Sequence, residues 1–518
     1  MLMTLKSCIK YTNFVDISDL PEAGTRLAAI DMGSNSFRLE IGRVIAGRYR
    51  RLEYFKEVVR LGAGLDDQRK LTEEAAQRGL ACLAAFSQKI AGVEPRQVRA
   101  VATQTLREAA NRDEFLSRAQ QVLGHPIEVI SGREEARLIY AGVAHLQPSE
   151  QPRLVIDIGG RSTELILGQG RTPTAAESFP VGSVGLSLRF FAQGDLTPAA
   201  FRAAQIAAGA EFEEALTEFS PTKWVEALGS SGTVSAVSQI LQESGVTQGE
   251  ITPDSLVWLM NHCLQAGHID RLTLPGLKDD RRAVMPGGLC ILYTLLTHFG
   301  VSSMKPAKGA LRQGVIVDLH ERLNPTRGKR GSDPREETVC ALQKRFGVDL
   351  AHAQQVKQVA LALYDAVSLE DDDQARKELG WACDLHEIGM AVSHHDHHRH
   401  SAYLVSHIDA PGFSQSQQRR LGLLVLAQRG GLRKVDDHLH DMHLAWMILC
   451  LRLAVIRCHA REVDLQPKIT LTRRNVQSAL VGWHPARLAL GPRTHYLLRE
   501  EVQAWDRVGP IALEIADD

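Results

Sequence analysis

The chain is 518 residues long, has a formal net charge of −1, and is 44% hydrophobic and 23% charged. This length exceeds what one hydrophobic core supports, so we expect about three or four domains. The composition is typical of a folded protein and excludes a disordered chain. The balanced charge excludes the global basic field with which nucleic-acid-binding proteins attract their partners.

The cysteine pattern and the absence of long apolar runs both bear on the cellular compartment, and both favour the cytoplasm. The eight cysteines are scattered and include no Cys-x-x-Cys pair, a spacing that favours buried, reduced thiols. No apolar run reaches membrane-spanning length, and residues 1–24 lack the order of a signal peptide. We therefore expect a soluble cytoplasmic protein without integral membrane contact, which begins with a loosely ordered extension over 1–25.

The first recurring pattern lies between Leu27 and Val44. An apolar run ends at Asp31, a polar loop follows, and an alternating apolar run returns. This order predicts a strand, a tight loop and a second strand beside the first, with loop N–H groups that converge on an anion. The loop residues are Gly33, Ser34, Asn35 and Ser36.

The rest of the first unit alternates strands with helices. Helical periodicity covers 71–90, and short apolar strands cover 98–103 and 126–130. This alternation favours an α/β architecture for the first half of the chain.

Two charged residues follow these short strands. Arg107 belongs either to a helix cap or to a phosphate clamp. Ser131 and Glu134 have the spacing of a capping box, in which each side chain satisfies the other residue's backbone N–H. The capping box leaves Glu135 unexplained, although a solvated glutamate in a first helical turn is also common.

The pattern returns between Leu154 and Gly168, where an apolar run ends at Asp157 and a second run begins at Glu164. Carboxylates at both ends of a loop can hold a hard cation that bridges to the same phosphate. Two such copies indicate either coincidental hairpins or, as we favour, a duplicated unit with phosphate loops facing each other across a cleft. The loop residues are Gly159, Gly160, Arg161, Ser162 and Thr163.

A third Gly/Ser turn occurs later in the second unit. A helical pattern covers 198–219, and a strand over 224–228 leads through the turn into another helix. This order presents helix N–H groups to an anion, although simple turn chemistry explains it equally well. The turn residues are Ser231, Gly232 and Thr233.

The pattern changes in the second half of the chain. Residues 324–337 form a polar linker that contains glycine and proline. Consecutive amphipathic helices without strand alternation follow over 336–459, and 468–518 return to short alternating runs around one helix. We expect a helical domain and a small α+β cap.

Taken in order, these motifs resemble the exopolyphosphatase / guanosine pentaphosphate phosphohydrolase family, within the superfamily of actin, hexokinase and the heat-shock chaperones. The resemblance covers nearly the whole chain, including 381–412 in the helical half. The stretches that carry it are Ala29–Phe37, Thr103–Arg107, Ile130–Ala136, Asp157–Glu164, Ser231–Thr233 and Gly309–Arg312.

The resemblance implies an α/β fold with two ribonuclease-H-like, actin-like domains around a cleft. It also implies an all-helical domain related to the HD hydrolases and a small α+β C-terminal domain. The expected extents are 1–25 for the extension, 26–145 and 146–323 for the actin-like domains, 336–465 for the helical domain and 466–518 for the C-terminal domain.

The resemblance further implies Mg²⁺-dependent removal of a terminal phosphate from inorganic polyphosphate or from guanosine pentaphosphate. Mn²⁺ and a monovalent cation such as K⁺ remain open as cofactors. Glu135 matches the catalytic base and Arg107 a phosphate-contacting arginine. Asp157 and Glu164 match the metal-associated carboxylates, and Asp31 is a further candidate ligand.

Two positions depart from the family pattern. Arg161 stands where a Gly or Ala is usual, so its side chain either narrows the backbone's approach to phosphate or itself grips the phosphate. Gln313 replaces a glutamate, which removes one charge near the cleft and weakens any metal-binding role there.

The helical half suggests a second metal site. His352 and the His386-Glu387 pair match HD-type ligands, but Val455 stands where an Asp ligand is required, so we expect no HD-type hydrolysis. We expect the histidine-rich segment 394–400 to be structural. A basic stripe either tracks a polyphosphate chain or is simply solvated: Arg419, Arg420, Arg429, Arg433 and Lys434.

The leading hypothesis from sequence is an exopolyphosphatase, with a guanosine pentaphosphate 5′-phosphohydrolase as the alternative. A regulator with an impaired site is a third hypothesis, motivated by Arg161 and Gln313. A kinase is disfavoured because the 231–233 region lacks an obvious purine-binding elaboration. The resemblance makes a homodimer plausible, and we expect no nucleic-acid partner.

Overall fold

The computed structural model describes residues 25–324, 333–369, 372–461, 469–483 and 492–516. The expected N-terminal extension therefore lies outside the described residues, as does most of the predicted linker. Within the described residues, no helix combines the length and the apolarity that crossing a membrane requires.

The first unit is built on a five-stranded sheet in the order β3-β2-β1-β4-β5. The strand β1 pairs antiparallel with β2 and parallel with β4, and all six residues of β1 are buried. The strands are β1 (Leu27–Met32), β2 (Phe37–Ile45), β3 (Arg48–Glu57), β4 (Val98–Ala102) and β5 (Ile127–Val129).

The second unit repeats this topology, with the order β10-β9-β6-β7-β8 and the same alternation of antiparallel and parallel neighbours. The duplication predicted from the two Asp-Gly motifs is confirmed, and both motifs fall at the junction of the two central strands. The strands are β6 (Arg153–Ile158), β7 (Thr163–Gln169), β8 (Thr172–Phe179), β9 (Glu226–Gly229) and β10 (Met304–Pro306).

Helices cover both sheets, and two of them, over 132–146 and 311–323, bury their apolar residues against strands of both units. Ile139 and Val315, for example, belong to the same core as Val101 and Val155. In chain order the helices are α1 (Glu73–Lys89), α2 (Gln104–Glu108), α3 (Arg112–Leu123), α4 (Gly132–Leu146), α5 (Ser183–Phe190), α6 (Pro198–Phe212), α7 (Gly232–Glu243), α8 (Pro253–Ala266), α9 (Asp279–Arg282), α10 (Met285–His298) and α11 (Leu311–Leu323).

The second half consists of packed helices followed by a three-stranded sheet with one helix, as predicted. Trp505 joins the C-terminal element to the helical core, and Arg452 pairs with Glu501 at 2.6 Å across the same contact. The elements are α12 (Pro334–Arg345), α13 (Leu350–Val367), α14 (Asp373–Leu385), α15 (His397–His407), α16 (Gln415–Ala427), α17 (Met442–Cys458), β11 (Ile469–Asn475), β12 (Ser478–Trp483), α18 (Pro492–Val508) and β13 (Ala512–Ile515).

Two predicted element bounds need correction. The helix predicted over 198–219 ends at Phe212 and continues only as a 3₁₀ turn over 213–215. The predicted linker extends too far, because α12 begins at Pro334. Asp333 caps that helix by accepting from the N–H of Arg335.

The capping box at the start of α4 is half correct. The Ser131 hydroxyl accepts from the N–H of Glu134 at 3.1 Å. The Glu134 carboxylate does not return to Ser131; it pairs with Arg137 and accepts from the N–H of Gly412 in the helical half at 2.7 Å. The sequence missed this second partner because it comes from a distant segment.

Candidate active site

A cavity of about 400 Å³ lies between the two sheets. The loop after β1 and the loop after β6 form two of its sides, and the first turns of α4 and α7 complete it. Most of the predicted site residues line it: Asp31, Gly33, Ser34, Asn35, Ser36, Glu135, Asp157, Gly159, Gly160, Ser162, Ser231, Gly232 and Thr233. Four predicted residues lie behind this surface: Arg107, Arg161, Thr163 and Glu164.

Glu135 occupies the first turn of α4, where the Ser131 cap fixes the start of the helix. Its side chain is buried, and Oε2 accepts from the Arg107 guanidinium at 2.8 Å. Burial raises the pKa of the Glu135 carboxyl above its ordinary value, and Arg107 opposes part of that rise. A buried carboxylate beside one arginine is suited to take a proton near neutral pH.

Asp157 and Glu164 are direct cross-strand partners on β6 and β7, so both side chains point to the same face of the sheet. Burial and the nearby charge of Glu135 raise the pKa of Asp157 to about 7. Glu164 is fully buried, and its pKa is also raised, by burial and by the two neighbouring carboxylates. Its Oε1 accepts from the Ser178 hydroxyl at 2.8 Å, whereas Oε2 has no hydrogen-bond partner within the described ranges.

Asp157 and Glu164, which face each other across β6 and β7, are candidate ligands for a hard divalent cation. The Glu135 carboxylate raises the pKa of both Asp157 and Glu164, and the second Glu164 oxygen is a buried acceptor without a donor among the described residues. A divalent cation would relieve both conditions. Asp31 differs from these residues, because Arg312 and Arg38 already approach it at 3.4 Å and 3.6 Å.

The two phosphate loops approach each other closely. A Cβ atom at Gly160 would lie 3.1 Å from the Cβ of Ser34 in the opposite loop. At the third turn, a Cβ at Gly232 would lie 2.3 Å from the Nη2 of Arg281, so that guanidinium rests directly on the start of α7. A side chain at 160 would require the opposite loop to shift slightly, and one at 232 would displace the Arg281 guanidinium.

Arg161 and Thr163 do not present their side chains to the cavity. The Arg161 guanidinium contacts Glu108 at 2.7 Å and 3.0 Å, and the Thr163 hydroxyl donates to the carbonyl of Val181 at 2.6 Å. Of the two alternatives for Arg161, this placement disfavours a guanidinium that grips phosphate, because Glu108 already holds it. The expected phosphate contacts of the loop N–H groups, including that of Thr163, stay a prediction.

Arg107 contacts the candidate base instead of lining the cavity. Besides Glu135, its guanidinium donates to the side chain of Gln104 and to the carbonyl of Ile130 at 2.9 Å. These three contacts fix the guanidinium at the base of α4.

Gln313 lines the cavity, but its side-chain amide is hydrogen-bonded to Glu40. Its amide donates to both Glu40 oxygens at 2.6 Å and 2.7 Å, and its Oε1 accepts from the N–H of Ala310 at 3.0 Å. Glu40 is fully buried and also interacts with Tyr49 and Arg312. The departure at 313 therefore has a structural partner, a neutral amide donor for a buried carboxylate.

Family models and individual relatives agree with this architecture. Residues 41–323 match the model of the Ppx/GppA phosphatase family, and residues 335–506 match the model of Ppx/GppA phosphatase domain III. The chain belongs to the Ppx/GppA phosphatase family. A curated relative from Photobacterium profundum, a guanosine-5′-triphosphate,3′-diphosphate pyrophosphatase, is 37% identical over 94% of this chain and 97% of its own length.

Solved structures match the first half of this Ppx/GppA phosphatase. An exopolyphosphatase-like protein is 26% identical, with a TM-score of 0.52 over 58% of this chain and 99% of its own. An exopolyphosphatase from Cytophaga hutchinsonii is 24% identical, with a TM-score of 0.52 over 57% of this chain and 97% of its own, and shows the fold alone. The predicted α/β fold class, with two sheet-based units around a cleft and a helical second half, is confirmed.

The sequence interpretation of this Ppx/GppA phosphatase missed cations that line the cleft. Arg38 is the cross-strand partner of Asp31, so the register of the first hairpin could have identified it. Arg281 could not be found this way, because it reaches the start of α7 from a different helix. Arg51, Lys56, Lys278 and Arg312 line the same cavity.

Proposed function

We propose that this phosphatase hydrolyses the terminal 5′-phosphate of guanosine pentaphosphate, the 5′-triphosphate,3′-diphosphate of guanosine. The similarity to the P. profundum pyrophosphatase along nearly the whole length of both chains carries the proposal. It reverses the order in which the sequence alone ranked the two substrates.

The charges of the cleft support a substrate with two phosphate groups at different places. The facing loops form one anion-binding region beside Glu135, and a second lies around Arg38 and Arg281. The Arg38 Nε is buried without a hydrogen-bond partner, and the Arg281 side chain has no hydrogen bond or ion pair within the described part of the chain. Arg281 is therefore suited to bind a second phosphate group, with Arg38, which also pairs with Asp31 at 3.6 Å, beside it.

Hydrolysis of a phosphoanhydride needs an aligned water and stabilisation of negative charge. Glu135 is placed to orient the water and accept its proton, a contribution of ~10²–10⁴-fold. Asp157 and Glu164, with Asp31 nearby, would hold Mg²⁺, which supplies charge neutralisation at the phosphoryl oxygens. The N–H groups of the two loops and of the first turn of α7 would bind the remaining non-bridging oxygens.

Exopolyphosphatase activity is the second candidate. The proposed contacts of the loops and carboxylates are all to phosphate groups, and none is to a nucleoside. The same site would therefore accept the end of a polyphosphate chain. An impaired regulatory site has less support, because the residues that motivated it, Arg161 and Gln313, both have structural partners.

Initial rates of phosphate release from guanosine pentaphosphate and from long-chain polyphosphate, both with Mg²⁺, test the proposal. We expect a higher kcat/KM for guanosine pentaphosphate. Arg281→Gln should raise its KM about tenfold or more and leave the polyphosphate value nearly unchanged. Arg282→Gln is the matched control, because Arg282 pairs with Asp279 instead of lining the cavity. A preference for polyphosphate would establish the second candidate, and inactivity on both substrates would refute both.

A further inference from the structure

A second cavity, of about 560 Å³, lies in the helical half of the molecule, away from the cleft. His352 at the start of α13 and the His386-Glu387 pair after α14 converge on its surface. One ligand atom from each of these three side chains lies within 4.8 Å of the other two. They form a candidate site for a metal ion.

His386 is oriented as metal-binding histidines usually are. The side chain is 1% exposed, and its Nδ1 lies 2.7 Å from the carbonyl oxygen of Cys383. This contact assigns the proton to Nδ1 and leaves the lone pair on Nε2, which is buried and has no hydrogen-bond partner among the described residues. A backbone carbonyl that holds the far nitrogen is a common outer contact of a metal-bound histidine.

His352 is also a buried histidine with an unpartnered ring nitrogen. It is 7% exposed, its Nδ1 has no hydrogen-bond partner in the part of the chain that the structure describes, and its Nε2 lies 3.8 Å from Oε1 of Glu387. Its position is fixed by Asp349, which caps α13 by accepting from the His352 N–H at 3.1 Å. Two buried imidazoles, each with an unpartnered ring nitrogen, therefore lie beside one carboxylate. A cation bound between them would account for this arrangement.

Glu387 is held from the opposite side. Arg461 donates to its two oxygens at 2.8 Å and 3.0 Å and also contacts Asp349 at 2.8 Å. A carboxylate has about four lone-pair positions, so these contacts leave room for a further ligand bond. Arg461 would then fix the orientation of the carboxylate from outside the coordination sphere.

We propose that His352, His386 and Glu387 bind one first-row divalent transition metal ion, Zn²⁺ in the first instance. Two imidazoles and a carboxylate favour such an ion over Mg²⁺, which prefers oxygen ligands. All three residues line the cavity, and no fourth described residue has a ligand atom within 4.8 Å of all three, so we infer that a further coordination position faces the cavity. Three protein ligands with one open position is an arrangement that zinc sites adopt. The proposal does not depend on the substrate of the cleft.

Zn²⁺ binding by the full-length protein, stripped with a chelator and measured by calorimetry and by metal analysis after dialysis, tests the site. We expect one tight equivalent in the wild type. The variants His352→Gln and His386→Gln should weaken binding at least about tenfold. The matched control is His395→Gln, which removes a 91% exposed histidine from the 394–400 segment and should leave binding unchanged.

The outcomes separate a built site from adventitious binding. No stoichiometric uptake by the wild type would overturn the proposal, as would uptake that survives both buried substitutions or is lost in His395→Gln. Because a buried substitution can disturb folding, Glu387→Gln provides a second test at a residue on the cavity surface. It should weaken Zn²⁺ binding and remove the Zn²⁺-induced rise in Tm while retaining phosphatase activity from the cleft.

Discussion

The ionisation of Glu135 depends on two opposing influences. Burial raises the pKa of its carboxyl, and the Arg107 guanidinium at 2.8 Å lowers it. The arginine therefore keeps the base deprotonated at a pH where burial alone would favour the neutral acid.

Replacing Arg107 with Gln should shift the acidic limb of the pH profile of kcat/KM to higher pH. The physical reason is the sign of the removed interaction: without the guanidinium, the pKa of Glu135 rises, and a higher pH is needed to form the base. Arg107→Lys should retain most of the wild-type profile. A limb that stays in place or moves to lower pH would contradict this account.

Gln313 supports the buried carboxylate of Glu40. Gln313→Glu would place two carboxylates against each other where the amide now donates at 2.6 Å and 2.7 Å. We expect a loss of about 2 kcal/mol or more in the stability of the first half, measured as a lower midpoint of chemical denaturation.

Gln77→Glu is the control, because it makes the same substitution beside a glutamate at a solvent-exposed position. Its amide donates to Glu73 at 2.6 Å on an exposed helix surface, so the substitution should change stability by no more than about 0.5 kcal/mol. Equal effects at 77 and 313 would show that burial of Glu40 is not the cause.

Site residues within one motif were predictable from sequence, whereas their distant partners were not. Asp157 and Glu164 flank one loop, so the strand–loop–strand pattern brings them together. The partner of Arg161 is Glu108, 53 positions away, and it is set by how the two units approach each other. No local spacing encodes that contact.

Helix α4 carries the candidate base and also contacts the helical half. Glu134, next to Glu135, accepts from the N–H of Gly412, and Arg322 of α11 donates to the Gly412 carbonyl at 2.9 Å. Gly412 is thus held by both α4 and α11, and it links the first turn of α4 to the helical half.

Glu134→Ala should loosen this junction and lower kcat, because the turn that carries Glu135 loses its anchor. Hydrogen exchange should increase around Gly412 and at the start of α4. The control is Glu114→Ala, at an exposed position of α3. Unchanged exchange at both segments would show that the contact does not couple the two halves.

Element order was largely predictable, because strand and helix periodicities differ and the two hairpins repeat. Element ends were less so: α12 begins at Pro334, inside the predicted linker. The packing of α4 and α11 against both sheets depends on tertiary contacts that periodicity does not report.

At the scale of the whole molecule, the carboxylates of the cleft should make stability depend on pH and on divalent metal. The folded state raises the pKa of Asp157 from 3.8 to about 7. Between pH 3.8 and about pH 7, Asp157 retains a proton in the folded protein that it has lost in the unfolded chain. The free energy of unfolding therefore falls as pH rises through this range.

The Tm of the metal-free protein should therefore fall between about pH 5 and pH 8, and Mg²⁺ should restore it mainly at the higher pH. Asp157→Asn should make both the fall and the Mg²⁺ effect smaller. A Mg²⁺ effect of equal size at both pH values would argue against a metal held by these carboxylates.

The central claim is that Glu135 activates water against a phosphate held by the two loops, and the most direct measurement compares turnover with binding in Glu135→Gln. We predict that kcat on guanosine pentaphosphate falls by ~10²–10⁴-fold while calorimetry shows substrate affinity near the wild-type value. Glu74→Gln, at an exposed position, should behave as wild type. Unchanged turnover, or an equal loss of turnover and binding, would contradict the account and leave Glu135 a purely structural role in α4.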